Sequence, residues 1–306
     1  MDLRSEATLK GRAVVFLKGM AMGIADSVPG VSGGTVAVMA GIYEELIHSL
    51  KNLNPVMLWS YRTLGLKGFW HSINGSFLLA LLLGIFSSLY LSASTVLFLL
   101  EHHYPAVMAF FCGLVLASTW FLRRQVSQWN RALMGFLVLG AGVTLLLSLS
   151  NPLSGSSAYL YIFCCGLIAI CAMILPGISG AFILILLGVY DQVLNALRVL
   201  DLGIMVVFAA GCGIGLLSFS HVLSWTFFYY RQQTYAFLIG MLIASVLVLW
   251  PWKYVAEETG HGSRFLGPAE FETLTGTAAN LPLVIFLLLL GFALVTVFER
   301  ITRKRI

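Results

Sequence analysis

The sequence predicts an all-α polytopic membrane protein built as two inverted repeats, each a re-entrant helical hairpin followed by three transmembrane helices. Three observations lead there: a composition too apolar for a water-soluble surface, a Pro-Gly-x-Ser-Gly turn that recurs in register, and a lopsided distribution of positive charge. Of the 306 residues, 59% are hydrophobic and 10% charged, against roughly 25% charged in an ordinary soluble domain. The apolar runs Ser76–Leu100, Pro105–Leu122, Ala132–Leu149, Leu202–Tyr230, Ala236–Trp250 and Leu281–Phe298 approach or exceed the ~20 residues that cross a ~30 Å hydrocarbon core as helix. Six spans are the minimum on this reading. The first apolar stretch does not read as a signal peptide, because Lys18 interrupts it and no small-residue cleavage site follows, so the N-terminus is expected to be retained.

The repeat sets the organisation. Pro29-Gly30-Val31-Ser32-Gly33 returns as Pro176-Gly177-Ile178-Ser179-Gly180, 147 residues on, and the same offset aligns Gly19 with Gly166, Gly41 with Gly188, Tyr43 with Tyr190 and Glu44 with Asp191. An offset of 127 then aligns Gly84 with Gly211 and Gly113 with Gly240, and an offset of 151 aligns Gly140 with Gly291. Residues 1–150 form the first repeat, with a hairpin at about 12–50, and residues 151–306 the second, with a hairpin at about 158–197.

Length and charge argue that the hairpins dip in and return. Seven uncharged residues separate Lys18 from Asp26 and nine run from Thr35 to Tyr43 before Glu44, ~14 Å of helix at ~1.5 Å per residue and about half a membrane. Ala158–Leu175 could almost span by itself, so charge decides. With both hairpins re-entrant and the N-terminus cytoplasmic, only Arg198, Lys253 and Arg264 lie outside, a split of 15 to 3. Full crossing would move Lys51, Arg62, Lys67, Arg123, Arg124 and Arg131 outward and give 9 to 9. A hairpin plus three spans is an odd number of crossings, so the second half starts from the opposite face. The Lys51–Asn74 connector, with Trp59, Tyr61 and Trp70, reads as an interfacial segment, and Trp250–Asn280 as a plain outer connecting loop.

The turns carry the chemistry. Proline ends the incoming helix and glycine permits the reversal. Ser32 or Ser179 is then placed to cap the next half-helix, aiming free N–H groups and a positive dipole end at the membrane midplane, a ready anion site. Such backbone is tolerated at that depth only inside protein or against a wet cavity. Packing alone would explain the glycines, as in Gly19-xxx-Gly23, but not the proline and serine repeated with them. Asp26 has Met173 as its counterpart and reads as a proton carrier or ion ligand, the alternative being a carboxylate that braces the loop. Glu44, Glu45 and Asp191 read as interfacial, Glu101, His102 and His103 as a solvated outer connection, and His221 as a satisfied core histidine. Cys112, Cys164, Cys165, Cys171 and Cys212 lack metal or disulfide spacing and read as small buried hydrophobes. The net charge of +5 reflects membrane orientation, and no nucleic-acid partner is expected.

Asp26–Thr35, Gly41-Ile42-Tyr43-Glu44 and Pro176–Gly180 together resemble the polyprenyl-phosphate (undecaprenyl phosphate) transporter family, and the resemblance runs from about Lys18 to Arg300. The second turn departs from the first, with Ala181-Phe182 in place of Gly34-Thr35. The resemblance implies a non-enzymatic flippase of the bacterial cytoplasmic membrane, with both termini cytoplasmic. It would return the lipid phosphate from the outer to the inner leaflet for cell-wall precursor recycling. Phosphate contacts are expected from Pro29, Gly30, Ser32, Gly33, Gly34, Thr35, Pro176, Gly177, Ser179 and Gly180. No cofactor or metal is expected; Asp26 would couple transport to H+ or Na+. A carrier of a small soluble anion is the alternative, and a lipid phosphatase using Ser32 with His221 a lesser one.

Overall fold

The computed structural model describes residues 9–26, 32–53, 65–150, 152–255 and 263–303. Pro29 and Gly30 of the first turn lie outside these residues, as do Arg4, Trp59, Tyr61, Arg62, Glu257 and Glu258. Among the described residues the regular structure is helical apart from one short ribbon: α1 Leu9–Asp26, α2 Gly33–Met39, α3 Tyr43–Lys51, α4 Gly65–Ser72, α5 Gly75–Leu122, α6 Arg131–Leu149, α7 Tyr159–Ile174, α8 Gly180–Leu186, α9 Tyr190–Val199, α10 Leu202–Tyr229, α11 Arg231–Val248, α12 Pro268–Thr275 and α13 Leu281–Arg303. Four helices among the described residues are long and apolar enough to cross a membrane, and up to six if each of two bent pairs counts as one span. The chain is a multi-pass membrane protein.

Two compact units form, and each draws on both halves of the sequence: Met1–Ala93 with Pro152–Arg231, and Ser94–Asn151 with Gln232–Ile306. In the first unit the chain doubles back twice. Arg12 and Val15 near the start of α1 line one cavity with His48 and Asn52 at the end of α3, so α1, α2 and α3 leave a base and return to it. Likewise Leu153, just ahead of α7, donates its N–H to the Leu186 carbonyl at the end of α8 (2.7 Å), and the Tyr161 hydroxyl donates to Leu187 O (2.8 Å). The last turns of α2 and α8 close alike: Gly41 and Gly188 both take φ +67, while Ile42 N–H bonds Ala37 O and Val189 N–H bonds Leu184 O at 3.0 Å. Only glycine enters that left-handed well cheaply, which is why it follows both half-helices.

α10, with 28 residues, is ~42 Å long and relates the two bases. Its first turn lies beside α7, where a Cβ on Gly203 would sit 3.1 Å from the Tyr159 hydroxyl. Its other end packs against α3: Phe227 meets the Tyr43 ring edge-on at 5.9 Å, and Arg231, just beyond it, pairs with Glu44 at 2.8 Å. The two hairpin bases therefore lie at opposite ends of one helix. The tip of the second reaches its middle, where the Cys171 thiol contacts Gly215 O at 3.7 Å.

Glycine contacts hold the long helices together, and they recur at the sequence offsets. A Cβ on Gly84 would overlap the Phe16 carbonyl, and one on Gly211 the Phe163 carbonyl; Gly19 abuts Leu81 as Gly166 abuts Phe208. In the second unit Gly113 abuts Leu288 as Gly240 abuts Leu137, and Gly140 abuts Phe237 as Gly291 abuts Phe110. Lipid gives apolar side chains no reason to prefer one another over acyl chains, so close backbone approach through small residues supplies the packing energy.

Three sequence expectations are corrected. Glu101, His102 and His103 do not form an extended loop: they lie where two helices join within α5, with non-helical backbone at His103 (φ −137, ψ 35). Pro105 lacks the N–H that would reach back one turn and its ring crowds that carbonyl, so the helix bends and continues. The 250–280 segment is not a plain connection: strands β1 Lys253–Val255 and β2 Ser263–Phe265 pair antiparallel. Trp252, Leu266, Phe271 and Ala279 then bury a small core with Ala109 and Val284, and Trp250 Nε1 donates to Leu266 O (2.9 Å). Cys164 is exposed, while Cys112 and Cys165 are buried as expected.

Two predictions follow from this packing. Gly211→Ala should lower the thermal midpoint by the equivalent of about 1–3 kcal/mol of overpacking, whereas Gly213→Ala, with nothing within 4 Å of its Cβ, should leave it unchanged or raise it slightly; equal midpoints would refute the contact. Lys253 sits against the Val248 carbonyl and 5.4 Å from the Phe265 ring centroid, and burial pushes its pKa down to about 8 from 10.5. The unfolded chain then binds more protons between these values, so this group's contribution to stability rises as pH climbs from about 8 to 10.5. The stability of wild type relative to Lys253→Met should rise across that window; a flat difference would contradict it.

Candidate functional site

The site is built where the two hairpin turns meet, inside the first compact unit. Ser32, 1% exposed, has extended backbone (φ −122, ψ 135) and caps α2 by accepting the Gly34 N–H at 3.1 Å. The same hydroxyl donates to the Met173 carbonyl at 2.9 Å, with Leu175 O at 3.3 Å. These carbonyls belong to the last turn of α7 and the residue after it, where Pro176 brings no N–H and the helix has no further donors. One hydroxyl thus caps the start of one half-helix and the end of the opposing hairpin's incoming helix. Thr35, 2% exposed, adds the second link by accepting the Gly177 N–H at 2.9 Å. A Cβ on Gly34 would lie 3.0 Å from the Met173 carbonyl oxygen and closer still to Ile174 O, so the crossing admits no side chain there.

The two half-helix ends differ. At α2 the Asp26 carboxylate accepts the Gly33 N–H at 2.6 Å, placing an internal anion on the positive end of the helix. At α8 the equivalent place is filled by Met173, whose Cβ would lie 3.2 Å from a Cβ on Gly180. Ser179, 6% exposed, has extended backbone but makes no side-chain cap bond, contrary to the expectation that either serine would cap its helix. With no carboxylate and no cap, the α8 end keeps its first-turn amides and one hydroxyl uncommitted to a side-chain partner among the described residues.

Of the residues singled out from sequence, Ser32, Gly33, Gly34, Thr35, Pro176 and Gly177 come together, and Ser179 and Gly180 lie just beyond. Asp26 makes the loop-bracing bond that was its alternative reading. Glu44 pairs with Arg231 and Asp191 is exposed, as interfacial residues should be. His221 is held by its own helix, Nδ1 to Leu217 O at 2.7 Å, so neither it nor Ser32 is engaged with the other as a nucleophile and base would be. The sequence reading missed the Met173 and Leu175 carbonyls, because a backbone acceptor leaves no mark in residue identity. It also missed the partnership of Thr35 with Gly177, although Thr35 is the hydroxyl the second turn lacks.

Comparison with known proteins shows the family of the chain. A family model described as undecaprenyl phosphate translocase-like matches residues 22–264. The chain is 42% identical over 297 residues to the polyprenyl-phosphate transporter of Vibrio cholerae, covering 94% of this chain and 96% of that one. It is 30% identical over 255 residues to the polyprenyl-phosphate transporter of Staphylococcus aureus, covering 77% and 85%. No solved structure matches. With both turns inside or alongside the matched region and near-complete coverage of a relative, the chain belongs to the undecaprenyl phosphate translocase-like family.

Proposed function

We propose that this protein carries polyprenyl phosphate across the bacterial cytoplasmic membrane from the outer to the inner leaflet, the phosphate passing the point where the two turns meet while the prenyl tail stays in lipid. The observation that carries this reading is the tip-to-tip contact of Ser32 and Thr35 with Met173, Leu175 and Gly177. It concentrates hydroxyls and helix ends at depth, where bare polar groups cost several kcal/mol each. The hairpins are re-entrant from opposite faces and the halves form an inverted repeat, a reading supported by bases at the two ends of α10 and by glycine contacts that recur at offsets of 127, 147 and 151. Both termini are cytoplasmic, in keeping with the positive charge on that side.

Gly33, Gly34, Ser179 and Gly180 would face the phosphate once the turns part, with Pro29, Gly30, Pro176 and Gly177 shaping the reversals. Inward movement of a phosphate opposes a negative-inside potential by ~2.3 kcal/mol per charge per 100 mV, so uncoupled transport would stall. Asp26 is the coupling group for H+ or Na+. Its carboxylate holds the Gly33 N–H that a phosphate would need, and a proton or cation on it would release that amide.

Two outcomes are expected in proteoliposomes carrying labelled undecaprenyl phosphate. Flipping by wild type should accelerate under an imposed proton or sodium gradient, and Asp26→Asn should flip at one rate with or without it. Thr35→Val should slow flipping about tenfold, the worth of one buried hydrogen bond, with Thr35→Ser restoring most of it. Gradient acceleration surviving in Asp26→Asn would remove the coupling role. Uptake of inorganic phosphate with no lipid movement would make the protein a small-anion carrier instead.

A further inference from the structure

A cavity with a mixed polar and apolar lining lies away from the turns, at the base of the first hairpin. It measures about 330 Å³ and is lined by Arg12 of α1, His48 at the end of α3, Asn52 beyond it, and Trp70, His71 and Asn74 of the α4–α5 corner, among others. At ~30 Å³ of liquid volume per water that is room for about ten waters, enough for a hydrated phosphate group. Its lining holds one permanent cation and two imidazoles and, among the described residues, no carboxylate. Glu45 of α3 is held by the Asn74 amide at 2.9 Å, and Arg12 has no ion pair among the described residues.

The cavity has a built frame. Asn74 takes φ +54 at the corner where α4 and the first part of α5 meet at 64°, and its amide also reaches Ser49 Oγ at 3.3 Å. Asn52 donates to Ser72 O at 3.0 Å, Trp70 Nε1 donates to Ser76 Oγ at 3.1 Å, and the Trp70 indole lies where a side chain on Gly75 would be. Both Trp70, 43% exposed, and Leu66, 71% exposed, present apolar surface on α4, the composition of a helix lying in a membrane interface.

We propose that this cavity is a second anion subsite, which holds the phosphate-monoester head group of the lipid at the cytoplasmic face. The inference rests on the transport reading for its sidedness. Arg12 supplies the fixed charge, for which a guanidinium's forked donors suit phosphate oxygens; His48, His71 and Asn52 supply further hydrogen-bonding groups; Trp70 and Leu66 line the route of the first isoprene units into lipid. The interfacial apolar wall selects a lipid phosphate over free phosphate, which would gain nothing from it.

The test uses full-length protein in nanodiscs, with modification of histidines by diethylpyrocarbonate read peptide by peptide, and flipping measured in parallel. Farnesyl phosphate should slow modification of His48 and His71 and leave His102 and His103, also exposed, unaffected. Arg12→Gln should weaken this protection about tenfold, the loss of one charge-assisted hydrogen bond, and Arg12→Lys should recover part of it. Inorganic phosphate at the same concentration should protect far less. Unprotected His48 and His71 in a protein that flips lipid, or protection undiminished in Arg12→Gln, would overturn the subsite alone. Equal protection by inorganic phosphate would overturn the lipid assignment. Protection in a protein that flips nothing would overturn the transport reading and leave the subsite standing.

Discussion

Interrupting a helix in hydrocarbon strands backbone donors and acceptors that no water can satisfy, at several kcal/mol each. The two hairpins of the first compact unit each interrupt a helix, and the interruptions lie against each other. The Ser32 hydroxyl takes the Gly34 N–H and gives its proton to carbonyls at the end of α7, while Thr35 accepts the Gly177 N–H. Each turn is completed by the other. The bonds join sequence segments more than 140 residues apart. The absence of a Cβ at Gly34 is part of the same solution, because only bare backbone lets the Met173 and Ile174 carbonyls approach.

Around that crossing the scaffold is close to symmetric and the centre is not. The glycine contacts repeat almost residue for residue, and both half-helices end in a glycine at φ +67. At the crossing, however, Asp26 stands opposite Met173 in the repeat, Thr35 opposite Phe182, and a capping Ser32 opposite an uncommitted Ser179. The asymmetric centre makes their ends unlike in charge: one positive helix end is neutralised by a carboxylate from within the protein, and the other is not. A negatively charged group nearing the crossing therefore meets one competitor rather than two or none.

Much of this was legible in the sequence, for identifiable reasons. The repeat offsets were visible because glycine and proline mark backbone requirements, and the structure uses them at the same contacts that the alignment pairs: Gly84 with Phe16 and Gly211 with Phe163. The doubling-back was legible at the first hairpin from apolar segments too short to span, and at the second from the distribution of positive charge. The capped ribbon was not, since three-residue strands leave no period-two pattern to detect and the packing of Trp252 on Phe271 is long-range. The kink in α5 was read as a loop because two histidines and a proline look like solvent, although the chain needs only one distorted residue, His103, to absorb them. The basic cavity escaped because its walls come from positions 12, 48, 52, 70, 71 and 74, which share no spacing.

The distribution of polarity argues for a cargo that brings its own apolar part. Outward faces of α6 and α10 expose Phe136, Val138, Leu146, Val206, Val222 and Phe228, a surface stable only against lipid. Among the described residues the fully buried polar side chains are small, serines and threonines. A protein that moved a wholly hydrophilic solute would need a wet, polar passage sized to all of it. Hydroxyls and helix ends gather where the two turns meet, which suits a ligand whose only polar portion is a head group and whose remainder is as much at home in the bilayer as the outer faces of these helices.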